Sequence, residues 1–267
     1  AKLFEICLLE KFKGFLTTHD LQFGFKPSVG CAQALYVAQH VIDYFVKRGS
    51  TVYLAVLDAS KAFDRVVHTC LFDKLRNQNV PLCFIRCIEN LYSKLYVVVR
   101  WNGCFSTPFS LHAGVRQGGV LSPILFNLYV DELIGILELQ GLGCHVGCKF
   151  FGCIMYADDI LLLSANVGIL QIMLDECFKF SILNGIKFNA SKCVCLKIGR
   201  NCNLSVSDMS IGPTTISWVK NLKYLGISFI ASSSLQFDCN PVKQKFYGAF
   251  NSLMRGCNTA AENVKVS

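Results

Sequence analysis

The chain has 267 residues, 52% of them apolar and only 16% charged; a charged share below the ~25% of typical domains, on a chain long enough to bury a sizeable core, excludes intrinsic disorder. Twenty-six Lys and Arg against 18 Asp and Glu leave a formal charge of +8, which favours a polyanionic partner. The fifteen cysteines are an odd number without paired CxxC elements and histidines at zinc-finger spacing, so free, mostly buried thiols in a reducing compartment are expected.

Glu5 and Glu10 interrupt the apolar stretch that a secretory segment would need at the start of the chain. The most apolar stretches are broken by Asp158 and Asp159 or by Lys94 and Arg100, short of the ~18 residues of a membrane span, so no membrane partner is expected. Without an initiator Met, and with no closing element at Lys265 to Ser267, the sequence reads as a piece of something longer.

Cys31 to Lys47 carries Leu35, Ala38, Ile42 and Phe45 at helical spacing and stops at Arg48-Gly49. Thr51 to Leu57 is a continuous apolar run, which predicts a central strand buried on both faces. Leu71 to Leu95 reads as helical segments interrupted at Pro81, and Leu95 to Trp101 and Phe105 to Leu111 as strands joined through Asn102-Gly103. Ser122-Pro123 predicts a hydroxyl-capped helix running into the 130s. Lys149 to Ser164 reads as a hairpin turning at Ala157-Asp158-Asp159. A helix from Gly168 to Leu183, a strand from Val194 to Ile198 and a final hairpin from Trp218 to Phe229 complete the expected elements.

Asp58 ends the most apolar strand, and Asp158 and Asp159 lie at the tip of an apolar hairpin. An unpaired buried carboxylate costs several kcal/mol or more, so these groups must emerge at a sheet edge, pair with cations or hold metal. If the two strands are neighbours, Asp58 and Asp158 converge at one end of a sheet. Clustered hard oxygen ligands of this kind suit Mg²⁺, and two such ions about 4 Å apart support in-line phosphoryl displacement.

TVYLAVLDASKAFDRV, HAGVRQGGVLSPILFNLYVDEL, IMYADDILLLS, GIKFNASK and NLKYLGISF stand in the order and approximate spacing of the conserved blocks of reverse transcriptases. QFGFKPSVGC at Gln22 to Cys31 resembles the block that precedes them in the polymerases of non-LTR (LINE-type) retrotransposons, to which the chain is most similar. The resemblance covers about residues 1–229. It implies an α+β right-hand polymerase fold whose antiparallel palm sheet is covered by helices. Partial fingers fall at 1–50, the palm at 51–229 with inserted fingers elements at about 71–112, and the start of a truncated thumb or connection at 230–267.

The resemblance further implies RNA-directed DNA synthesis on a primer 3′-hydroxyl with release of pyrophosphate. Asp58, Asp158 and Asp159 match the catalytic triad. Asp58 and Asp158 would bridge two Mg²⁺ ions, with Mn²⁺ as a substitute; Ala59 would lend a carbonyl, and Asp159 would act less directly. Phe63 matches the ring that excludes a ribose 2′-hydroxyl, and Arg116, Gln117 and Gly118 match the loop beside the incoming nucleotide. Lys192 matches a proposed proton donor to pyrophosphate. Lys223, Tyr224, Leu225 and Gly226 match the hairpin that holds the primer end, while Asp64 has no implied role beyond a structural one. Lys11, Lys13, Lys26, Lys47, Arg48, Arg65, Lys74 and Arg76 crowd the first third, where they could meet template phosphates. The implied partners are an RNA template, a DNA primer, deoxynucleoside triphosphates, and the endonuclease and C-terminal segments of the same polyprotein. The implied setting is intracellular and nuclear. The competing readings are a viral RNA-templated RNA polymerase, disfavoured by YADD in place of GDD and by Phe63, and a non-catalytic nucleic-acid-binding relic or domesticated scaffold.

Overall fold

The computed structural model describes residues 2–256. Helix α1 (Lys2–Phe12) opens the chain, followed by α2 (Cys31–Lys47) and strand β1 (Val52–Asp58). Helices α3 (His68–Asn77) and α4 (Leu82–Ser93) then flank Pro81. A ribbon of short strands follows: β2 (Tyr96–Val97), β3 (Arg100–Trp101), β4 (Cys104–Phe105) and β5 (Phe109–Ser110). Its tip is the expected Asn102-Gly103 turn, with φ of 46° and 81°, the left-handed pair that closes a two-residue hairpin.

Helices α5 (Ser122–Val130) and α6 (Glu132–Leu139) lead to the short hairpin β6 (His145–Val146) and β7 (Lys149–Phe150), then to β8 (Cys153–Tyr156) and β9 (Asp159–Ser164). Helix α7 (Val167–Leu183) and β10 (Val194–Ile198) precede β11 (Met209–Ile211) and β12 (Thr214–Trp218). The described chain finishes with β13 (Asn221–Tyr224), β14 (Ile227–Ile230), β15 (Phe237–Asp238) and α8 (Asn240–Gly256). Residues 257–267 of the expected thumb segment lie outside the described residues.

Six strands form the main sheet in the order β11-β12-β10-β1-β9-β8. Because β1 is central, both of its faces are buried: Leu54, Ala55, Val56 and Leu57 are each less than a tenth exposed, which explains why its sequence does not alternate. Burying each larger side chain contributes ~1.5–3 kcal/mol. Helix α2 turns Ala34, Leu35, Ala38, Val41 and Ile42 inward at the spacing of one helical stripe, and α2 and α7 both pack on the sheet.

Four expectations change. The sheet is not wholly antiparallel, since β10 and β12 run parallel; the β11-β12 hairpin, unforeseen from its polar sequence, folds back and adds its return strand beside β10. Trp218 therefore closes β12 in the main sheet, edge-on to Tyr53 at 6.0 Å, and the final hairpin is β13-β14. Ser122 is not the cap of α5: its hydroxyl donates to the Arg116 carbonyl, and the backbone N–H groups of Val120 and Leu121 bond instead to the Glu5 carboxylate. The described cysteines are free, but only Cys144, Cys153, Cys177, Cys193, Cys195 and Cys202 are buried, while as many are exposed.

The basic excess of the first third is largely engaged within the chain. Lys13, Lys47, Lys74 and Arg76 pair with Glu10, Asp43, Glu132 and Asp73 respectively. Lys26 donates to the carbonyls of Thr18 and His19, and burial lowers its pKa. Lys74 is itself buried and lies over the Phe180 ring at 4.8 Å, which makes it a packing residue.

Candidate active site

The strand pairing brings the acidic residues together. In the antiparallel β1-β9 pair, Asp58 stands in register with Asp159, so two carboxylates face each other across neighbouring strands, an arrangement that repels unless a cation intervenes. Asp158 sits beside them in the two-residue turn between β8 and β9, after Ala157, whose φ is 57°. It borders a small void lined by Ala59, Phe126, Ile160, Ile186 and Phe188.

The cost of this crowding is visible in the acidities. Burial, then the neighbouring Asp58 charge, raises the pKa of Asp158, with only its own backbone N–H acting in the other direction. Burial, then Asp158 and Asp58, raises that of Asp159, partly offset by Lys192. Hard carboxylate oxygens short of counter-charge are a donor set suited to a divalent cation. Among the described residues, however, no three acidic, His or Cys side chains already stand close enough to form a metal centre. Asp58 instead faces Lys192, whose Nζ lies 3.4 Å and 3.3 Å from its Oδ1 and Oδ2.

The loop carrying Lys192 is held to β1 by backbone bonds. The Asn189 N–H donates to the Asp58 carbonyl at 2.8 Å, and the Ser60 N–H donates to the Lys187 carbonyl at 2.8 Å. These two bonds flank Ala59 and are made by its neighbours. Residues 187–192 are thereby fixed at the end of the central strand, and the exposed Lys192 side chain reaches the carboxylates from there.

Phe63 lies five residues beyond Asp58, in the 3-10 turn Ala62–Arg65. Its ring stacks on Phe126 at 4.3 Å and 17° and meets Phe25 edge-on at 6.1 Å, so a residue from α5 and one from the segment before α2 fix its plane. Gln117 is tied to the same turn: its Nε2 donates to Asp64 Oδ1 at 2.9 Å. This bond gives Asp64 a local partner in the loop.

Arg116 is placed differently from Gln117. Its guanidinium pairs with the buried Glu5 of α1 at 3.2 Å, on the side where Glu5 also accepts from Val120 and Leu121. No residue of α1 stands out in the sequence as part of this loop, because Glu5 looks like a break in an apolar run. Glu5→Ala would leave two backbone N–H groups and Arg116 without their acceptor and is expected to cost ~2–3 kcal/mol of stability. Chemical denaturation of both proteins checks this, and a change under ~0.5 kcal/mol would contradict it.

Gly118 is exposed. Of the hairpin residues, Lys223 is exposed, whereas Tyr224 is buried, its hydroxyl donating to the Ile154 carbonyl at 3.3 Å. Burial raises its pKa strongly. Tyr224 thus anchors the β13-β14 hairpin to β8, the strand leading into the acidic turn, and leaves Lys223 and the Leu225-Gly226 turn at the surface.

The raised pKa of Asp159 has a stability consequence. A carboxyl whose folded pKa lies above its unfolded value destabilises the fold at pH above the folded pKa, and the penalty vanishes below the unfolded pKa. Asp159→Asn is therefore expected to melt higher than the parent chain in metal-free buffer at pH 7, with the gain shrinking as the pH falls through the carboxylate range. Thermal melts from pH 7 to pH 4 check the sign; a lower melting point for the variant at pH 7 would contradict it.

The model of the family described as reverse transcriptase (RNA-dependent DNA polymerase) matches residues 5–229. The chain is 34% identical over 230 residues to the retrovirus-related Pol polyprotein from type-2 retrotransposable element R2DM of Drosophila melanogaster, a match covering 83% of this chain and 22% of that protein. It is 28% identical over 222 residues to the RNA-directed DNA polymerase from mobile element jockey of Drosophila funebris, covering 81% and 23%. Apo telomerase from Candida tropicalis, truncated from its C-terminal domain, superposes with a TM-score of 0.62 at 14% identity, over 88% of this chain and 44% of that one. The chain spans less than a quarter of the length of these two curated relatives.

Proposed function

The chain belongs to the reverse transcriptase (RNA-dependent DNA polymerase) family, in the form carried by non-LTR retrotransposons, and has the α+β fingers-palm fold of a right-hand polymerase; from that premise we propose that it extends a DNA primer on an RNA template. The observation that carries the proposal is the β1-β9 register, which sets Asp58 opposite Asp159 with Asp158 beside them and a lysine of a separate loop within 3.4 Å of Asp58.

In this reading Asp58 and Asp158, with the Ala59 carbonyl, would hold two Mg²⁺ ions, for which Mn²⁺ could substitute, and Asp159 would adjust the local charge. When bound, the ions supply an activated primer 3′-oxygen and neutralise charge on the departing phosphate. The primer 3′-hydroxyl gives up its proton to solvent as its oxygen forms a bond to the α-phosphorus of the deoxynucleoside triphosphate, the bond between the α-phosphorus and the bridging oxygen to the β-phosphate breaks, and pyrophosphate leaves. The Lys192 ammonium, exposed at the strand end beside Asp58, donates its proton to that leaving group. Phe63 closes the space a 2′-hydroxyl would need. Gln117 and Gly118 line the nucleotide with their loop, while Arg116 fixes the loop through Glu5. Lys223 and the Leu225-Gly226 turn support the primer end, with Tyr224 as their anchor.

We place partial fingers at 1–50, the palm at 51–229 with fingers elements at about 71–112, and the start of the thumb from residue 230. An endonuclease and further C-terminal segments of a polyprotein, and action in the nucleus, belong to the same proposal. The test supplies a DNA primer annealed to RNA with one labelled deoxynucleotide at a time in Mg²⁺. Incorporation that follows the template base and stops on chelation supports polymerisation. Salt-dependent RNA binding with no incorporation would favour a binding scaffold instead.

A further inference from the structure

Among the described residues, strand β8 is the last strand of the main sheet, and its outer edge has no full neighbour. Residues 21–23 fill part of that edge: the Phe23 N–H donates to the Met155 carbonyl at 2.8 Å and the Met155 N–H donates to the Leu21 carbonyl at 2.9 Å, around a single parallel bridge between Gln22 and Met155. The backbone pairing ends there, two residues short of the turn that carries Asp158. At that point the Gln22 side chain takes over. It is fully buried; its Oε1 accepts from the Ala157 N–H at 2.9 Å and from the Gly24 N–H at 3.0 Å, and its Nε2 reaches the Ala157 carbonyl at 3.5 Å and Met155 Sδ at 3.9 Å.

The residue so held is under strain. Ala157 has a left-handed backbone, a conformation that disfavours a residue with a Cβ by roughly 1–2 kcal/mol and persists where the surroundings impose it. The approach is close enough that a Cβ on Gly24 would stand 2.4 Å from the Ala157 nitrogen. The Gly24 carbonyl in turn accepts from Asn127 Nδ2 of α5. Ala157 immediately precedes Asp158, so whatever fixes its dihedrals fixes the direction in which the Asp158 carboxylate leaves the turn.

We infer that Gln22 is a positioning residue of the polymerase site: its side-chain amide stands in for a missing sheet neighbour, satisfies the N–H and C=O of Ala157, and holds the acidic turn in the one geometry that presents Asp158. Its catalytic consequence rests on the reverse-transcriptase reading, and the hydrogen-bonding claim does not. Outer residues that orient metal ligands contribute ~10–100-fold in metal affinity or activity, and that is the effect expected here.

The test compares the parent chain with Gln22→Met, which keeps the volume and loses the acceptor, and Gln22→Glu, which keeps the acceptor. Amide hydrogen exchange over residues 155–160 should speed up at least ~10-fold in Gln22→Met and stay near the parent rate in Gln22→Glu, with both variants folded. In primer extension, Gln22→Met should lower kcat by ~10–100-fold with the deoxynucleotide KM within ~2-fold, and should need more Mg²⁺ for half-maximal rate. Unchanged exchange in a folded Gln22→Met protein would overturn the inference whatever the activity. Faster exchange with wild-type kcat and Mg²⁺ dependence would overturn the positioning role. If exchange responds as expected but the parent chain makes no product, the bond to Ala157 stands, the catalytic part of the inference is overturned, and the reverse-transcriptase reading fails separately.

Discussion

Asp58→Asn is expected to reduce templated extension by ~10³-fold or more, equivalent to about 4 kcal/mol of transition-state stabilisation. Asp58 closes the central strand of the sheet, with β9 and β10 bonded on its two sides, so its position is set by the most buried element of the fold. Its carbonyl is already used by Asn189, and that bond survives the substitution. The amide side chain is the same size as the carboxylate and cannot hold a divalent cation with the same strength. The loss should therefore appear in kcat with the thermal midpoint preserved, and RNA affinity should change little. Steady-state extension kinetics beside a thermal melt separate these quantities. A folded Asp58→Asn protein retaining a tenth of the parent rate would remove Asp58 from the chemistry.

Phe63→Ala is expected to raise incorporation of ribonucleotides relative to deoxynucleotides by ~10²-fold, the scale on which a pocket that merely tolerates or excludes a hydroxyl discriminates. The ring cannot swing aside to admit a 2′-hydroxyl, because Phe126 stacks on one face and Phe25 meets it edge-on. Both partners belong to segments separate from the turn that carries Phe63. Truncation leaves those partners in place and opens the volume of the ring. Competition between matched ribo- and deoxynucleoside triphosphates on one template measures the ratio directly. Unchanged discrimination would reduce Phe63 to a packing residue and leave the polymerase reading standing.

The parts of the site legible in the sequence are those set by local pattern. The run TVYLAVLD gives a central strand ending in a carboxylate, and the apolar flanks of Ala157-Asp158-Asp159 give a hairpin that exposes two more. Their meeting required a pairing between strands about a hundred residues apart, which the ordered motifs supplied and the register confirms. Less legible are the contacts made by isolated polar residues at long range. Glu5 reads as an interruption in an apolar segment, yet it accepts from the backbone N–H of Val120, just before α5 and 115 residues away. Gln22 lies in a recognisable block, but its bond to Ala157 spans 135 residues, and no local periodicity encodes it. Tyr224 belongs to an expected primer-holding hairpin, while the alternation of β13 buries its side chain.

The same distinction applies to composition. The +8 charge pointed to a polyanion, but much of the basic charge in the first third is paired or bonded to carbonyls. The exposed Lys192, set against Asp58, bears more directly on the proposed chemistry than the bulk excess. The high apolar content fills the core around β1 and also surfaces on α8, where Phe246, Tyr247, Phe250 and Leu253 are exposed.

The central claim, that the acidic turn acts on a phosphoryl group, is tested most directly by primer extension on an RNA template with Mg²⁺ and all four deoxynucleotides, comparing this chain with Asp158→Ala. Template-directed product from the parent chain and none above background from a folded Asp158→Ala protein is the predicted result. Product of the same length and yield from Asp158→Ala would contradict it.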